Sequence, residues 1–360
     1  MGTVSLPVLA LIALGISHIC SAVYQLRDDY APPSFFDMFD FFTDDDPTEG
    51  YVDYVSEATA RANGLIKTTA TSVYMGVDHS NISSGRGRRS VRIELKNSYN
   101  HGLFLLDIYH MPASICGVWP AFWTMATHRP WPELGELDII EGVNSQGHNN
   151  IALHTRQGCQ ILDGGDFTGR IDTYNCYVYA PDQHKNIGCK IIADQPSVYG
   201  DVFNAEGGGI YAVDWTSKAI KVWFFPRQSI PADIASSRPA PATWGLPLAS
   251  FSGACDVDSY VRNQTLIINT AFCGGWAGGV WGEDVVCSQK AQTCEEFVQM
   301  HPEKFQDAFW GIYSLKIYED DLIEQASSSP FLLLGLSVCA VIVFAIMWGK
   351  YWAASLPKRD

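Results

Sequence analysis

Basic residues are scarce in this 360-residue chain, which has 24 Lys and Arg against 39 Asp and Glu and a formal net charge of −15 at pH 7. Proteins bind nucleic acids largely by neutralising phosphates with Lys and Arg, so the charge balance argues against a nucleic-acid partner. The small cluster of Arg86, Arg88 and Arg89 is interpreted as a solvated loop. Neutral polymers need no charge complementarity, and the 11 Trp and 16 Tyr provide flat apolar faces for them.

Linkers and internal repeats are also missing. No Gly/Ser-rich or Pro-rich segment interrupts the body of the chain, and long amphipathic helical repeats are rare. The composition, 47% hydrophobic and 18% charged, is that of a globular protein. Because all-β domains of about 250 residues are common, we predict one domain, at residues 23–325.

Cysteine pairs with the spacing of a zinc site are absent, since no C-x-x-C or H-x-x-x-H occurs. We therefore expect no metal and no cofactor. Apart from Cys20 and Cys339 in the apolar end segments, eight cysteines remain, at positions 116, 159, 176, 189, 255, 273, 287 and 294. An even number predicts disulfides in an exported protein, with connectivity left open. The sequons at Asn81 and Asn263 permit glycosylation.

The N-terminal 22 residues contain an apolar stretch at 6–16 followed by small residues, which predicts a secretory signal peptide at 1–22. The segment lacks the usual basic start, so an uncleaved anchor is the alternative.

A second apolar run, at 331–348, has 18 residues without a charge and predicts a transmembrane helix. Acidic residues precede the run, and Lys350, Lys358 and Arg359 follow it, which predicts a cytoplasmic tail at 349–360 and an extracytoplasmic body. The chain is thus expected to be a single-pass protein of the cell surface or of a secretory-pathway membrane. A lipid anchor (GPI type) is the alternative, because Ser327, Ser328 and Ser329 are small.

The body of the chain alternates with a period of two. Val91, Ile93 and Leu95 alternate with charged residues, and further β-rich runs occur at 102–109, 209–215, 220–225, 265–272 and 310–318. Gly, Pro, Asn and Asp clusters separate these runs, and the best helical candidate is 294–300. This pattern predicts an all-β jelly-roll sandwich of two antiparallel sheets.

Within the segment WPELGELDIIEG at 131–142, the stretch from Glu136 to Glu141 places three acids in an otherwise apolar strand. On a regular strand Glu136 and Asp138 share a face, and Glu141 lies one position too late. A β-bulge at Ile139 and Ile140 would return Glu141 to that face. Two glutamates so placed can approach the ~5–5.5 Å separation of a retaining glycosidase pair.

The spacing E-x-D-x-x-E alone has a competing interpretation, since acids alternating with apolar residues also occur on solvated strand faces. Trp119, Trp123 and Trp131 crowd the same region. Such a concentration of indoles is costly on an open surface but suits stacking on sugars.

Four motifs in this order resemble glycoside hydrolase family 16, specifically its fungal laminarinase-like branch. They are GVWPAFW at 117–123, GELDIIEGVN at 135–144, ALHT at 152–155 and FCGGWAG at 272–278. SFFD at 34–37, DPT at 46–48 and residues 207–215 also fit, so that the resemblance extends from Tyr30 to Tyr318.

The resemblance implies a jelly roll with a concave substrate cleft. It implies Glu136 as the nucleophile, Glu141 as the acid/base and Asp138 as the carboxyl that assists the nucleophile. The further substrate-binding positions that it implies are Trp119, Trp123, Trp276, His154, Arg92 and Asn144.

Some of these residues have structural alternatives. Trp123 and His154 are also compatible with a place in the core. Trp276 lies between glycines, which let the backbone approach a ligand closely. Gly275 departs from the family pattern, because relatives often carry an acid there, so one substrate contact is in doubt.

Three functions follow as hypotheses. The first is an endo-β-glucanase that hydrolyses β-1,3 or mixed β-1,3/1,4 glucan through a covalent glycosyl-enzyme. The second is a cell-wall transglycosylase that uses the same intermediate. The third is a non-catalytic β-glucan-binding protein. The expected partners are β-glucan and, through the C-terminal helix, a membrane, and the chain is expected to be a monomer.

Overall fold

The computed structural model describes residues 24–320. The predicted signal peptide, transmembrane helix and cytoplasmic tail lie outside these residues. Between Tyr24 and Asp320, no helix combines the length and apolar character needed to cross a bilayer.

Strands dominate the described chain. They are β1 Tyr24–Tyr30, β2 Phe39–Phe41, β3 Val52–Tyr54, β4 Ile66–Thr68, β5 Val73–Gly76, β6 Arg88–Ser90, β7 Arg92–Leu95, β8 Gly102–His110, β9 Val118–Met125, β10 Glu136–Glu141, β11 Asn149–His154, β12 Arg170–Thr173, β13 Cys189–Ala193, β14 Gly209–Trp215, β15 Ile220–Pro226, β16 Ala249–Phe251, β17 Thr265–Phe272 and β18 Phe309–Asp320.

Helices are short and lie in the connections. The α-helices are α1 Glu57–Ala62, α2 Gly200–Ala205, α3 Ala232–Ala235, α4 Val257–Tyr260 and α5 Cys294–Met300. Short 3₁₀ turns occur at Phe35–Met38, Pro196–Val198, Arg227–Ser229, Pro241–Thr243 and Pro302–Phe305, and one π-turn occurs at Gly274–Gly278. Thr293 caps the start of helix α5, because its side chain accepts a hydrogen bond from the amide of Glu296.

Two antiparallel sheets form the sandwich that the sequence predicts. The back sheet has eight strands, with the order β16–β15–β14–β8–β18–β5–β4 and with β1 paired to β18. The front sheet also has eight strands, in the order β12–β13–β11–β10–β9–β17–β7–β2. A short parallel pair, β3 with β6, completes the strand pairing.

The main core lies between the two sheets and follows the alternation of the strands. Phe104, Leu106 and Ile108 of the back sheet and Leu266 and Ile268 of the front sheet all belong to one buried cluster. Their neighbours in sequence point to the opposite, outer face of each sheet, because successive side chains alternate.

The predicted strands agree closely with the observed ones. The runs at 209–215 and 265–272 coincide with β14 and β17, and the helical candidate at 294–300 coincides with α5. The remaining runs differ by up to two residues at their ends.

The eight cysteines of the described chain form four disulfides, which the sequence left unassigned. The pairs are Cys116–Cys287, Cys159–Cys255, Cys176–Cys189 and Cys273–Cys294.

Candidate active site

Strand β10 contains the predicted bulge. On the side of β9, Asp138 pairs with Trp123 and Ile140 pairs with Phe122, so that Ile139 is the inserted residue. Leu137, Ile139 and Ile140 all lie in the core cluster. The extra residue therefore returns Glu141 to the outer face of the front sheet, where Glu136 and Asp138 lie.

A glycine follows the last acid of β10 for a steric reason. A Cβ atom at Gly142 would lie 2.6 Å from the hydroxyl oxygen of Tyr199. Any larger residue would push Tyr199, which belongs to the core, away from the end of the strand.

Glu136 is held by a tryptophan. The indole Nε1 of Trp131 donates to Oε2 of Glu136 at 2.7 Å. Across the sheet, Glu136 pairs in register with His154 of β11. Trp131 belongs to the group of tryptophans noted near the acids in the sequence, but it was not among the predicted site residues.

Glu141 is held by a different tryptophan in the same way. The indole Nε1 of Trp119 donates to Oε1 of Glu141 at 2.9 Å. Lys190 of β13 contributes a favourable charge interaction with Glu141, and its ammonium group lies 2.9 Å from the carboxylate of Asp172. Lys190 was not predicted as a site residue, because a lone lysine on a strand gives no sequence signal.

Asp138 lies between the two glutamates and contacts the histidine. Nε2 of His154 is 3.0 Å from Oδ2 of Asp138, and both residues are buried. His154 thus lies near the proposed nucleophile, as the resemblance implies.

Glu136, Asp138 and His154 could also be considered as metal ligands. One donor atom from each lies within 4.8 Å of the others. The hydrogen bond between Asp138 and His154 and the ladder position of Glu136 account for this proximity without an ion. The expectation that the site works without a metal stays a prediction.

Burial raises the pKa of all three carboxyls. Desolvation raises the pKa of Glu136 to about 8, with the charge of Asp138 adding to the effect. Desolvation likewise raises the pKa of Asp138 to about 8, and the pKa of Glu141 to about 8 with a further contribution from Asp138. At least one proton is therefore retained among the three crowded acids near neutral pH, as a proton donor requires.

Trp276 packs against Trp119, the tryptophan that bonds to Glu141. Its ring meets Trp119 edge to face, with the centroids 5.7 Å apart. The turn that carries it is fixed by a hydrogen bond from the amide of Gly275 to the carbonyl of Thr48 and by the disulfide from Cys273 to α5. The structure thus brings two of the predicted tryptophans together beside the acid.

Trp123 and Arg92 belong to one network on the same face. The indole of Trp123 donates to Oδ1 of Asn269 at 2.7 Å, and the guanidinium of Arg92 lies 5.0 Å from its ring. Arg92 is buried, lies over Phe42 as well, and pairs with Glu94 at 2.7 Å. These contacts orient Trp123, while a contact of either residue with a sugar stays a prediction.

Asn144 lies beneath the Trp276 turn. Its Oδ1 accepts from the amide of Gly117 at 2.8 Å and its Nδ2 donates to the carbonyl of Ala277 at 2.9 Å. The side chain is buried and joins the start of β9 to the turn. The structure assigns it a structural role, and its predicted contact with a sugar hydroxyl stays a prediction.

Comparison with known proteins agrees with this geometry. A family model described as an XgeA-like, catalytic GH16 domain matches residues 39–318. The chain is 51% identical over 312 residues to an endo-1,3(4)-β-glucanase of Arthroderma benhamiae, covering 86% of this chain and 68% of that protein. It is 42% identical over 323 residues to the endo-1,3(4)-β-glucanase XgeA of Emericella nidulans, covering 88% of this chain and 50% of that protein.

Solved structures with the same fold include two with substantial sequence identity. An elongating family 16 β-1,3-glucosyltransferase is 44% identical with a TM-score of 0.78, covering 82% of this chain and 100% of that chain. Laminarinase 16A from Phanerochaete chrysosporium is 38% identical with a TM-score of 0.77, covering 83% and 100%. The resemblance found in the sequence is confirmed. The chain belongs to glycoside hydrolase family 16, with the XgeA-like catalytic domains.

Proposed function

We propose that this chain is a retaining endo-β-glucanase that hydrolyses β-1,3 or mixed β-1,3/1,4 glucan. Glu136 attacks the anomeric carbon as the glycosidic C–O bond breaks, and Glu141 gives its proton to the leaving oxygen. Glu141 then takes a proton from water, whose oxygen attacks the same carbon and releases Glu136. Asp138 assists by tuning the pKa of Glu136 and by orienting its carboxylate.

One observation carries this proposal, namely the bulge at Ile139 that turns Glu141 to the face of Glu136 and Asp138. A regular strand would direct Glu141 into the core. Because the bulge also leaves three apolar residues packed inside, the site is formed without loss of core burial.

The outer face of the front sheet would form the concave substrate cleft. Trp119, Trp123 and Trp276 offer indole faces beside the carboxyls. Flat apolar rings next to hydrogen-bonding groups are typical of sugar sites. The substrate class is supported by the relatives at 51% and 42% identity, which are named endo-1,3(4)-β-glucanases.

The test incubates the 360-residue chain with laminarin, lichenan and a galactan, followed by product identification. We expect cleavage of laminarin or lichenan at internal bonds and no cleavage of galactan. NMR of fresh product should show the β anomer, because a double displacement retains configuration. Initial formation of the α anomer would contradict the role of Glu136 as nucleophile.

Transglycosylation is the second candidate, and one comparison favours it. The structure at 44% identity is an elongating β-1,3-glucosyltransferase. A transferase uses the same glycosyl-enzyme and resolves it with a sugar hydroxyl instead of water. Laminarin products longer than the starting oligosaccharide, formed when an acceptor is added, would favour transfer over hydrolysis.

The non-catalytic alternative is weaker. A protein that only binds glucan gains nothing from one buried and two half-buried acids whose pKa values are raised by desolvation, since their desolvation costs stability. Binding of laminarin without any cleavage at pH 5–8 would support that alternative.

Export and membrane attachment complete the proposal. We propose a signal peptide at 1–22, a monomeric body at 23–325, and a transmembrane helix at 331–348 with a cytoplasmic tail, in a cell-surface or secretory-pathway membrane. The pairing of eight cysteines supports an oxidising compartment.

Protease protection of membrane vesicles tests the orientation of the chain in the membrane. Release of the chain by phosphatidylinositol-specific phospholipase C would favour the lipid anchor instead. A mobility shift with endoglycosidase tests glycosylation at Asn81 and Asn263.

A further inference from the structure

The bulge in β10 creates a hydrogen-bonding problem on the side of β11. Pairing between the two strands covers Glu136 with His154, Leu137 with Leu153, and Asp138 with Ala152. Beyond Asp138 the inserted residue takes the two backbones out of register. The carbonyl of Ile139 and the amide of Glu141 therefore need partners other than a regular ladder.

The side chain of Asn149 supplies both partners. Its Oδ1 accepts from the backbone amide of Glu141 at 2.8 Å, and its Nδ2 donates to the carbonyl of Ile139 at 2.8 Å. A carboxamide has the donor and acceptor of a peptide group, so it replaces the missing rung of the ladder. Asn149 is 0% exposed, and water is thus excluded from this contact.

The orientation of this amide is fixed from the core side. Nδ2 of Asn149 also donates to the hydroxyl of Tyr211 at 3.3 Å, and that hydroxyl donates to the carbonyl of Val198. Tyr211 comes from β14 of the back sheet. The support of the bulge therefore extends through the core to the opposite sheet.

The adjacent Asn150 supports the same residue from the other face. Its Nδ2 lies 3.4 Å from the carbonyl of Glu141. The backbone amide and carbonyl of Glu141 are thus held by the side chains of two consecutive asparagines, while Trp119 holds its carboxyl.

We propose that Asn149 is a positioning residue that acts through Glu141, by holding the bulge that presents the acid/base to the glycosidic oxygen. The inference rests on the proposed function. Asn149 does not touch the substrate, since it lies on the core side of β11. Without its amide, the bulge loses the groups that stabilise it relative to a regular register, in which Glu141 would point inward.

The test uses two substrates that differ in their need for an acid. Laminarin has a poor leaving group that requires protonation by Glu141. The leaving group of 2,4-dinitrophenyl β-laminaritrioside departs without a proton. For Asn149→Ala in the full chain, we expect kcat/KM on laminarin to fall about 10- to 100-fold, the scale of a misplaced catalytic group. On the dinitrophenyl substrate the fall should be less than about threefold.

The ratio of the two kcat/KM values does not depend on the folded fraction of a preparation, so partial unfolding cannot imitate the effect. Asn149→Asp provides a conservative variant. Its carboxylate keeps the acceptor for Glu141 but loses the donor to Ile139, and its protonated form restores that donor. The activity of Asn149→Asp on laminarin relative to the unsubstituted chain should therefore rise as the pH is lowered.

Asn204→Ala is the matched control. Asn204 also bridges a backbone amide and carbonyl, both of Met111 at 2.9 Å, at the end of β8. Its substitution should leave the substrate ratio unchanged. Equal losses of Asn149→Ala on both substrates would overturn the proposal and leave a packing role. Failure of the unsubstituted chain to cleave either substrate would instead overturn the proposed function.

Discussion

The outer faces of the two sheets carry different kinds of side chain. On the back sheet, Leu103, Leu105, Ile210 and Trp223 point outward and form a buried apolar cluster. The connection after β15 covers this cluster, with Ile230 and Trp244 packed against it. On the front sheet, the corresponding positions hold carboxyls, indoles and amides.

The difference shows what each face requires. A covered face is stabilised by apolar contact, and a change there alters stability first. On the open face, the hydrogen bonds from Trp131 to Glu136 and from Trp119 to Glu141 offset part of the cost of desolvating these acids. Because the two faces lie on opposite sides of the core, we expect mutations on the outer face of the back sheet to alter stability and those on the outer face of the front sheet to alter activity.

The largest expected effect is that of Glu136→Gln on the front face. The amide cannot form the glycosyl-enzyme, so we expect kcat on laminarin to fall by about 10³-fold or more. Binding of laminari-oligosaccharides, measured by calorimetry, should persist. Undiminished activity would remove Glu136 from the nucleophile role.

Glu141 gives the next effect, through pH. Burial raises its pKa to about 8, far above the ordinary value of 4.5. Activity should fall as the pH rises through 8, because the acid loses its proton.

The folded state holds the proton of Glu141 more tightly than the unfolded state, so the stability that this proton contributes is full below pH 4.5 and declines toward pH 8. Glu141→Gln does not ionise, and its melting temperature should drop less than that of the unsubstituted chain between pH 5 and pH 8.

The two indoles allow a smaller and sharper comparison. Each donates to a carboxyl and thereby lowers its pKa, so removal of the N–H group raises that pKa. Trp119→Phe should move the basic limb of the pH–rate profile upward, and Trp131→Phe should move the acidic limb upward. Each should reduce the optimal rate by about 2- to 10-fold, the equivalent of one hydrogen bond. Movement of the same limb in both variants would contradict the assignment of Glu136 as the nucleophile and Glu141 as the acid/base.

The smallest effect is expected on the back face. Arg227 bonds to Asp107 at 2.6 Å and lies over Tyr313 at 5.1 Å from the ring centre. Arg227→Ala should reduce the free energy of unfolding by about 1 kcal/mol or less, because the pair is partly solvated. Activity on laminarin should not change, and a loss of activity would show that the two faces are coupled.

The strands and the bulge could be predicted because they follow local rules. The β-rich run at 265–272 predicted β17, and the spacing of Glu136, Asp138 and Glu141 requires one inserted residue if all three are to share a face. The resemblance of separated motifs then predicted the family, which the comparisons confirm.

The supporting residues could not be predicted in the same way. Asn149 lies at the start of a buried strand, where a polar residue is ordinary. Nothing in the neighbouring sequence shows that its side chain replaces a missing backbone hydrogen-bond pair of β10. The disulfide pairs depend on which connections meet in space, as for Cys116 and Cys287, which are 171 residues apart. Arg92 was predicted from the family resemblance, whereas its contacts with Phe42 and Trp123 depend on which segments lie side by side in the fold.

Two of the four disulfides border the turn that carries Trp276. Cys273–Cys294 fastens the beginning of the turn to α5, and Cys116–Cys287 fastens the chain before β9 to the segment that follows the turn. The carboxyls on β10, by contrast, are held by the sheet. In a chain folded under reducing conditions, the carboxyls of β10 would thus keep their positions, but the Trp276 turn beside them would lose its covalent support. The completed site therefore depends on the redox state of the compartment in which the chain folds.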